Sequence, residues 1–95
     1  SPNIVLESAD LAAAVGGGVK SVMMNSGQSC NAPTRMFVPA AKMDEAKAIA
    51  KAAAEGMTVG DPGGNSVLGP VVSKVQFDKI QGLIEKGIAE GATLV

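Results

Sequence analysis

The chain has 95 residues, of which 46% are apolar, and eight basic and nine acidic side chains give it a formal charge of −1. The basic residues are dispersed and the aromatics number two, which argues against the clustered, stacking-competent basic face that nucleic-acid binding needs. One cysteine and no histidine rule out an internal disulfide framework and leave a zinc site without ligands.

Asn3-Ile4-Val5-Leu6 is a short apolar run with β-branched members, and it predicts a buried strand. Ser8 is placed to cap a helix over residues 9–24, with Asp10 in the first turn opposing the positive end of the helix dipole. Gly16, Gly17 and Gly18 fall inside that helix, each costing about 1 kcal/mol relative to alanine. Keeping them implies close packing against another backbone. A polar turn over residues 25–33 leads into a second strand, residues 34–38, closed by Pro39. Met43, Ala46, Ile49, Ala50 and Ala53 recur at helical spacing and predict an amphipathic helix over residues 42–55, ended by Gly56. Residues 58–69 read as loop, with Gly60-Asp61-Pro62-Gly63-Gly64-Asn65 as a turn cluster. Ser73-Lys74-Val75-Gln76 has the spacing of a capping box, and the helix it opens carries Phe77, Ile80, Leu83, Ile84 and Ile88 on one stripe as far as Gly91. Residues 92–95 are expected to begin a third strand. Strands alternating with helices imply an α/β fold with parallel strand pairs.

A domain of this length buries only about 60–65% of the surface its unfolded chain exposes. The aromatics are Phe37 and Phe77, so the core is built from smaller side chains, and a partner surface is expected to complete it. The longest run without a polar side chain, residues 11–19, is far short of the roughly 20 residues that span a bilayer, so no membrane partner is expected. A single unpaired thiol fits a reduced, cytoplasmic setting. The chain opens Ser1-Pro2-Asn3 with neither a start methionine nor a signal-peptide pattern, and its ends are expected to be cut from something longer.

Chemistry concentrates in Asn25-Ser26-Gly27-Gln28-Ser29-Cys30-Asn31-Ala32-Pro33-Thr34-Arg35. Cys30 lies between a predicted helix end and a predicted strand, a junction that can hold a thiol on a fixed loop and aim a backbone N–H at a bound carbonyl oxygen. A thiolate attacks carbonyls well, and a nearby N–H stabilises the oxyanion that forms. From the residues alone an inert buried cysteine is the commoner case, and the usual activating histidine is missing. Other candidates are weaker. Gly16-Gly17-Gly18-Val19-Lys20-Ser21 lacks the spacing of a phosphate loop and lies within a helix. The Gly60–Asn65 cluster can offer N–H groups to a ligand, but a surface turn accounts for it. Asp44, Glu45, Asp78 and Glu85 fall on helices, where a solvated face is the default, and no carboxylate pair suggests acid–base work.

The segment from Asn25 to Arg35 resembles the active-site signature of the NAD(P)-dependent aldehyde dehydrogenase superfamily, in which Gly-Gln precedes the catalytic cysteine by a fixed short spacing. Ser1-Pro2-Asn3-Ile4-Val5-Leu6 and Ala9-Asp10-Leu11 look like the family's approach to that cysteine. Arg35-Met36-Phe37-Val38-Pro39, Gly60-Asp61-Pro62 and Leu68-Gly69-Pro70-Val71-Val72-Ser73 are similar to the segments that follow it. The resemblance implies that residues 1–95 are part of a catalytic domain without its coenzyme-binding domain. It implies oxidation of an aldehyde to a carboxylic acid with NAD⁺ or NADP⁺, through a thiohemiacetal and then a thioacyl group on Cys30. Asn25, Gly27 and Gln28 would shape the turn that presents the thiol. The general-base glutamate, the oxyanion asparagine and the ribose-holding glutamate would lie outside these residues. The 95 residues alone are therefore expected to bind no coenzyme and to be inactive, with no residue assigned to a cofactor or a metal. The complete enzyme is expected to be a homo-oligomer. Members that pass the acyl group to coenzyme A or phosphate, and a small α/β binding or scaffold module with a structural cysteine, remain as alternative readings.

Overall fold

The computed structural model describes all of residues 1–95. Strands β1 (Pro2–Ile4) and β2 (Arg35–Phe37) pair in parallel, with Pro2 opposite Arg35, Asn3 opposite Met36 and Ile4 opposite Phe37. The Val5 N–H continues the ladder to the Phe37 carbonyl at 2.9 Å. A parallel pair cannot be closed by a hairpin, and the connection here runs through helix α1 (Leu11–Met23). The expected α/β arrangement, parallel strands alternating with helices, is what forms.

Asp10, not Ser8, caps α1. Its carboxylate accepts the Ala13 N–H at 3.0 Å from an extended backbone, satisfying one of the free donors at the helix start. Ser8 comes too early, in a turn closed by the Ala9 N–H on the Leu6 carbonyl at 3.1 Å. Along α1, Leu11 and Val15 turn inward to meet Val5 and Ala46, and these are the buried members of the core. Ala46 comes from helix α2 (Met43–Glu55), which packs on α1 with Ile49 and Ala50 on the same stripe. Asp44 and Glu45 occupy the first turn of α2, where negative charge opposes the helix dipole.

The three glycines of α1 are not equivalent. A Cβ built on Gly18 would run into the Asn3 carboxamide and come 2.5 Å from Met36 Cε, so the helix meets the sheet at this point. At Gly16 the contact would be an ordinary 3.9 Å to Ile49, and at Gly17 nothing lies within 4 Å. Only Gly18 marks a close approach, and it is to the side chains of Asn3 and Met36, not to the backbone that the sequence suggested for the set. Asn3 and Met36 face α1, whereas their neighbours Ile4 and Phe37 stand on the opposite, uncovered face at 67% and 54% exposure.

Beyond α2 the loop is tied by an isolated parallel bridge between Val59 and Leu68, with Gly60 N–H on the Leu68 carbonyl at 3.0 Å. Helix α3 (Lys74–Ala89) follows, capped by Ser73, whose hydroxyl accepts the Gln76 N–H at 3.3 Å. The reciprocal half of the expected capping box, from the Gln76 side chain to the Ser73 N–H, is not made. Gly91, at φ +99°, ends α3 in a Schellman arrangement, with Ala92 N–H on the Gly87 carbonyl and Gly91 N–H on the Ile88 carbonyl, both at 3.0 Å. Residues 92–95 form no strand, correcting the expectation, because no neighbouring strand offers them a ladder. The apolar stripe of α3 forms as its spacing predicts but is uncovered: Phe77, Leu83, Ile84 and Ile88 are all 46% exposed or more.

Candidate active site

The thiol-bearing segment starts where α1 can no longer continue. After Met24, the residues Asn25, Ser26 and Gly27 all take left-handed backbone angles, with φ of 53°, 55° and 75°. Glycine does so freely and asparagine with modest strain, whereas serine costs about 1–2 kcal/mol there. Hydrogen bonds hold the conformation. The Gln28 N–H and the Gln28 Nε2 both donate to the Asn25 carbonyl, at 3.1 and 3.0 Å. Asn25 Nδ2 donates back to the Gln28 carbonyl at 3.3 Å. The two side chains thus bind each other's main chain across the turn.

The same turn grips a segment more than forty residues later. Ser26 Oγ donates to the Gly69 carbonyl at 2.6 Å, and Gln28 Oε1 accepts the Val72 N–H at 2.8 Å. Nothing in the local sequence signals either bond. Ser26 is the functional-site residue that sequence reasoning left without a role, and Val72 is the partner it had no means to find.

Cys30 comes next, at the corner of a β-turn closed by the Ala32 N–H on the Ser29 carbonyl at 3.1 Å. The thiol is exposed, unlike the buried, inert cysteine that the residues alone allowed. As corner residues, Cys30 and Asn31 keep their backbone N–H groups free of any acceptor in the chain. Downstream, Ala32 is buried and its carbonyl accepts the Thr34 N–H at 2.9 Å around Pro33, which steers the chain into β2. The turn is therefore anchored on both sides while its tip stands clear.

The remaining candidates lose ground. Gly16 to Ser21 lies wholly within α1, so it forms no loop for a phosphate. In the glycine-rich turn, Asp61 takes the Gly63 N–H on its side chain at 2.7 Å and the Gly64 N–H on its carbonyl at 2.9 Å, leaving those donors occupied. Asp78 pairs with Lys74 at 2.7 Å on an exposed helix face. No three cysteine, aspartate or glutamate side chains converge as a metal would require. A hollow of about 660 Å³ lies between residues 68–71 and Phe77, with Ser26 on its wall; Cys30 is not part of it. It is an apolar cleft beside the start of α3, separate from the β-turn that carries the exposed thiol.

The whole chain, residues 1–95, matches the aldehyde dehydrogenase family model. Among curated relatives, a 3-succinoylsemialdehyde-pyridine dehydrogenase of a Pseudomonas species is 47% identical over 96 residues, covering 100% of this chain and 20% of the relative. A betaine aldehyde dehydrogenase of Rhizobium etli is 46% identical with the same coverage. In a crystal structure, a Pseudomonas syringae aldehyde dehydrogenase C with one cysteine changed to alanine, complexed with NAD⁺ and octanal, superposes with a TM-score of 0.96. Its identity is 47%, over 99% of this chain and 20% of that one. The crystal structure of a Bartonella henselae aldehyde dehydrogenase gives 0.93 at 52% identity, with 99% and 20% coverage. The chain spans about a fifth of the length of the relatives it matches.

Proposed function

This chain belongs to the aldehyde dehydrogenase family, and from that premise we propose that it carries the nucleophile, Cys30, of an enzyme that oxidises an aldehyde to a carboxylic acid. The observation that carries the reading is the exposed, singly occurring thiol at the corner of a braced β-turn, beside backbone N–H groups that no acceptor takes.

The sulfur of Cys30, as thiolate, adds to the aldehyde carbon. The C=O π pair moves to oxygen, and the Cys30 N–H is placed to stabilise that oxyanion, as preorganised donors do at developing charge. The product is a thiohemiacetal, and its oxidation leaves a thioester on Cys30 that water cleaves to the acid and the free thiol. The turn tip supports this sequence because it exposes the sulfur without having to move a covering element. The chain has no histidine to serve as a base for the thiol. Deprotonation and activation of water are assigned to residues outside these 95.

The residues present do not fit a dinucleotide. The glycines that would have to cradle a pyrophosphate lie inside α1 or in a turn whose donors Asp61 occupies. NAD⁺ or NADP⁺, which accepts hydride in such oxidations, is therefore assigned to other parts of the complete enzyme. For the same reason the 95-residue polypeptide by itself is proposed to turn over nothing. The exposed stripe of α3 supports a larger setting in which other protein surface covers it, and a homo-oligomeric, cytoplasmic enzyme is the setting proposed.

Cys30→Ala in the complete enzyme should lower aldehyde-dependent reduction of the coenzyme by about 10³-fold or more, as removal of a covalent nucleophile does. Mass spectrometry of the acid-quenched enzyme should find the acyl group on the peptide containing Cys30. Turnover that survives the substitution, or an acyl group on a different side chain, would refute the assignment.

A further inference from the structure

We propose that the Gln28 carboxamide is a positioning group that couples the start of α3 to the placement of the Cys30 thiol. This rests on the assignment of Cys30 as nucleophile. Gln28 spends both ends of its amide on the main chain: Nε2 donates to the Asn25 carbonyl at 3.0 Å, and Oε1 accepts the Val72 N–H at 2.8 Å. The reversed amide would set its NH₂ against the Val72 N–H and its oxygen against the Asn25 carbonyl, so a single orientation satisfies both partners. Ser26 supplies a second tie to the same segment through its 2.6 Å bond to the Gly69 carbonyl.

The direction of the coupling follows from what else is available. Residues 69–73 lead directly into α3 through its cap, Ser73, and most of the apolar stripe of that helix is exposed. On the other side, Ser26 and Gln28 belong to the turn held in left-handed geometry immediately before the β-turn of Cys30. A displacement of α3 is thus passed through residues 69–72 to the one stretch whose strained angles set where the sulfur stands. Misplacing a reacting group by about 1 Å can cost on the order of 10²-fold in rate. Gln28 itself is exposed, so its packing contribution is small and its effect acts through these two bonds.

The test uses Gln28→Met in the complete enzyme, which keeps the length of the side chain and removes both bonds, with Ser26→Ala as a second variant that breaks the neighbouring tie. The expected result for Gln28→Met is a kcat at least about tenfold lower, with the aldehyde KM and the coenzyme Kd within about twofold of the parent. Amide exchange at Val72 should accelerate in the same variant, and iodoacetamide should alkylate Cys30 at a changed rate. Gln28→Glu, which keeps the acceptor for Val72 but places an anionic oxygen against the Asn25 carbonyl, should also lower kcat with KM unchanged. A parental kcat in Gln28→Met, or a loss of kcat matched by equal losses of coenzyme affinity and melting temperature, would overturn the proposal. Should Gln28→Met fail to fold, the kcat–KM split in Ser26→Ala and Gln28→Glu decides it on the same criteria. Cys30→Ala measured alongside separates the two readings. If it remains active the nucleophile assignment fails, whereas parental rates in the Gln28 variants with an inactive Cys30→Ala sink the coupling alone.

Discussion

Adding one methyl at Gly18 tests the packing of α1 on the sheet, because Gly17 beside it is a built-in control. At Gly17 the new Cβ meets nothing within 4 Å, so Gly17→Ala should stabilise the helix by about 0.5–1 kcal/mol through backbone entropy alone. Gly18→Ala gains the same increment but drives the methyl against the Asn3 carboxamide and to 2.5 Å from Met36 Cε. The terminal methyl of Met36 can swing aside cheaply. Asn3 is short, sits on β1 opposite Met36, and has little freedom to retreat. Overpacking of this kind costs about 1–3 kcal/mol, so the net effect should be a loss of about 1 kcal/mol. The two alanine variants should then differ by about 2 kcal/mol. Hydrogen exchange read by mass spectrometry on the complete polypeptide reports it locally. Peptides covering β1 and β2 should exchange about fivefold faster in Gly18→Ala and no faster than the parent in Gly17→Ala. Equal protection in both variants would show that the helix does not press on the sheet at Gly18, and the reasoning would fail.

Val15 is fully buried, and Val15→Ala should cost about 2–3 kcal/mol, seen as a lower melting temperature of the complete enzyme with unchanged KM. Asp10→Ala should cost about 1 kcal/mol and speed exchange at Ala13, whereas Ser8→Ala should leave both unchanged, because only Asp10 caps α1. The isolated 95-residue polypeptide should self-associate through the bare stripe of α3, with light scattering giving a mass that rises with concentration and falls on Leu83→Glu. A monomer at every concentration would contradict that expectation.

Periodicity made α2 and α3 legible: Ala46, Ile49 and Ala50 of the α2 stripe turn to the core, and the α3 stripe forms without cover. It also identified the parallel strands and put Cys30 between helix and strand. What it missed has one physical origin. Apolar spacing says which face of an element seeks cover, and nothing about which distant residue provides it. Gly16, Gly17 and Gly18 look alike in sequence, yet only Gly18 lies where α1 crosses Asn3 and Met36. The shift of the α1 cap from Ser8 to Asp10 reflects a turn at Leu6 to Ala9 that local propensity did not reveal. Residues 92–95 have strand-like composition but no partner, and a strand is a property of two segments. In the site, Asn25 and Gln28 were visible as turn-formers, while the bonds from Ser26 to Gly69 and from Gln28 to Val72 span separations no motif encodes.

The sheet itself carries an instruction about its surroundings. Parallel strands are normally coated on both sides, since their crossovers lay helices over them. Here α1 coats one side, and the cross-strand pair Ile4 and Phe37 faces water on the other. That pair is a blank half of a three-layer stack, and its oily, side-by-side side chains mark where a second coat belongs. A polarity-sensitive dye that brightens on the bare polypeptide and stays dark on the complete enzyme would show that coat in place.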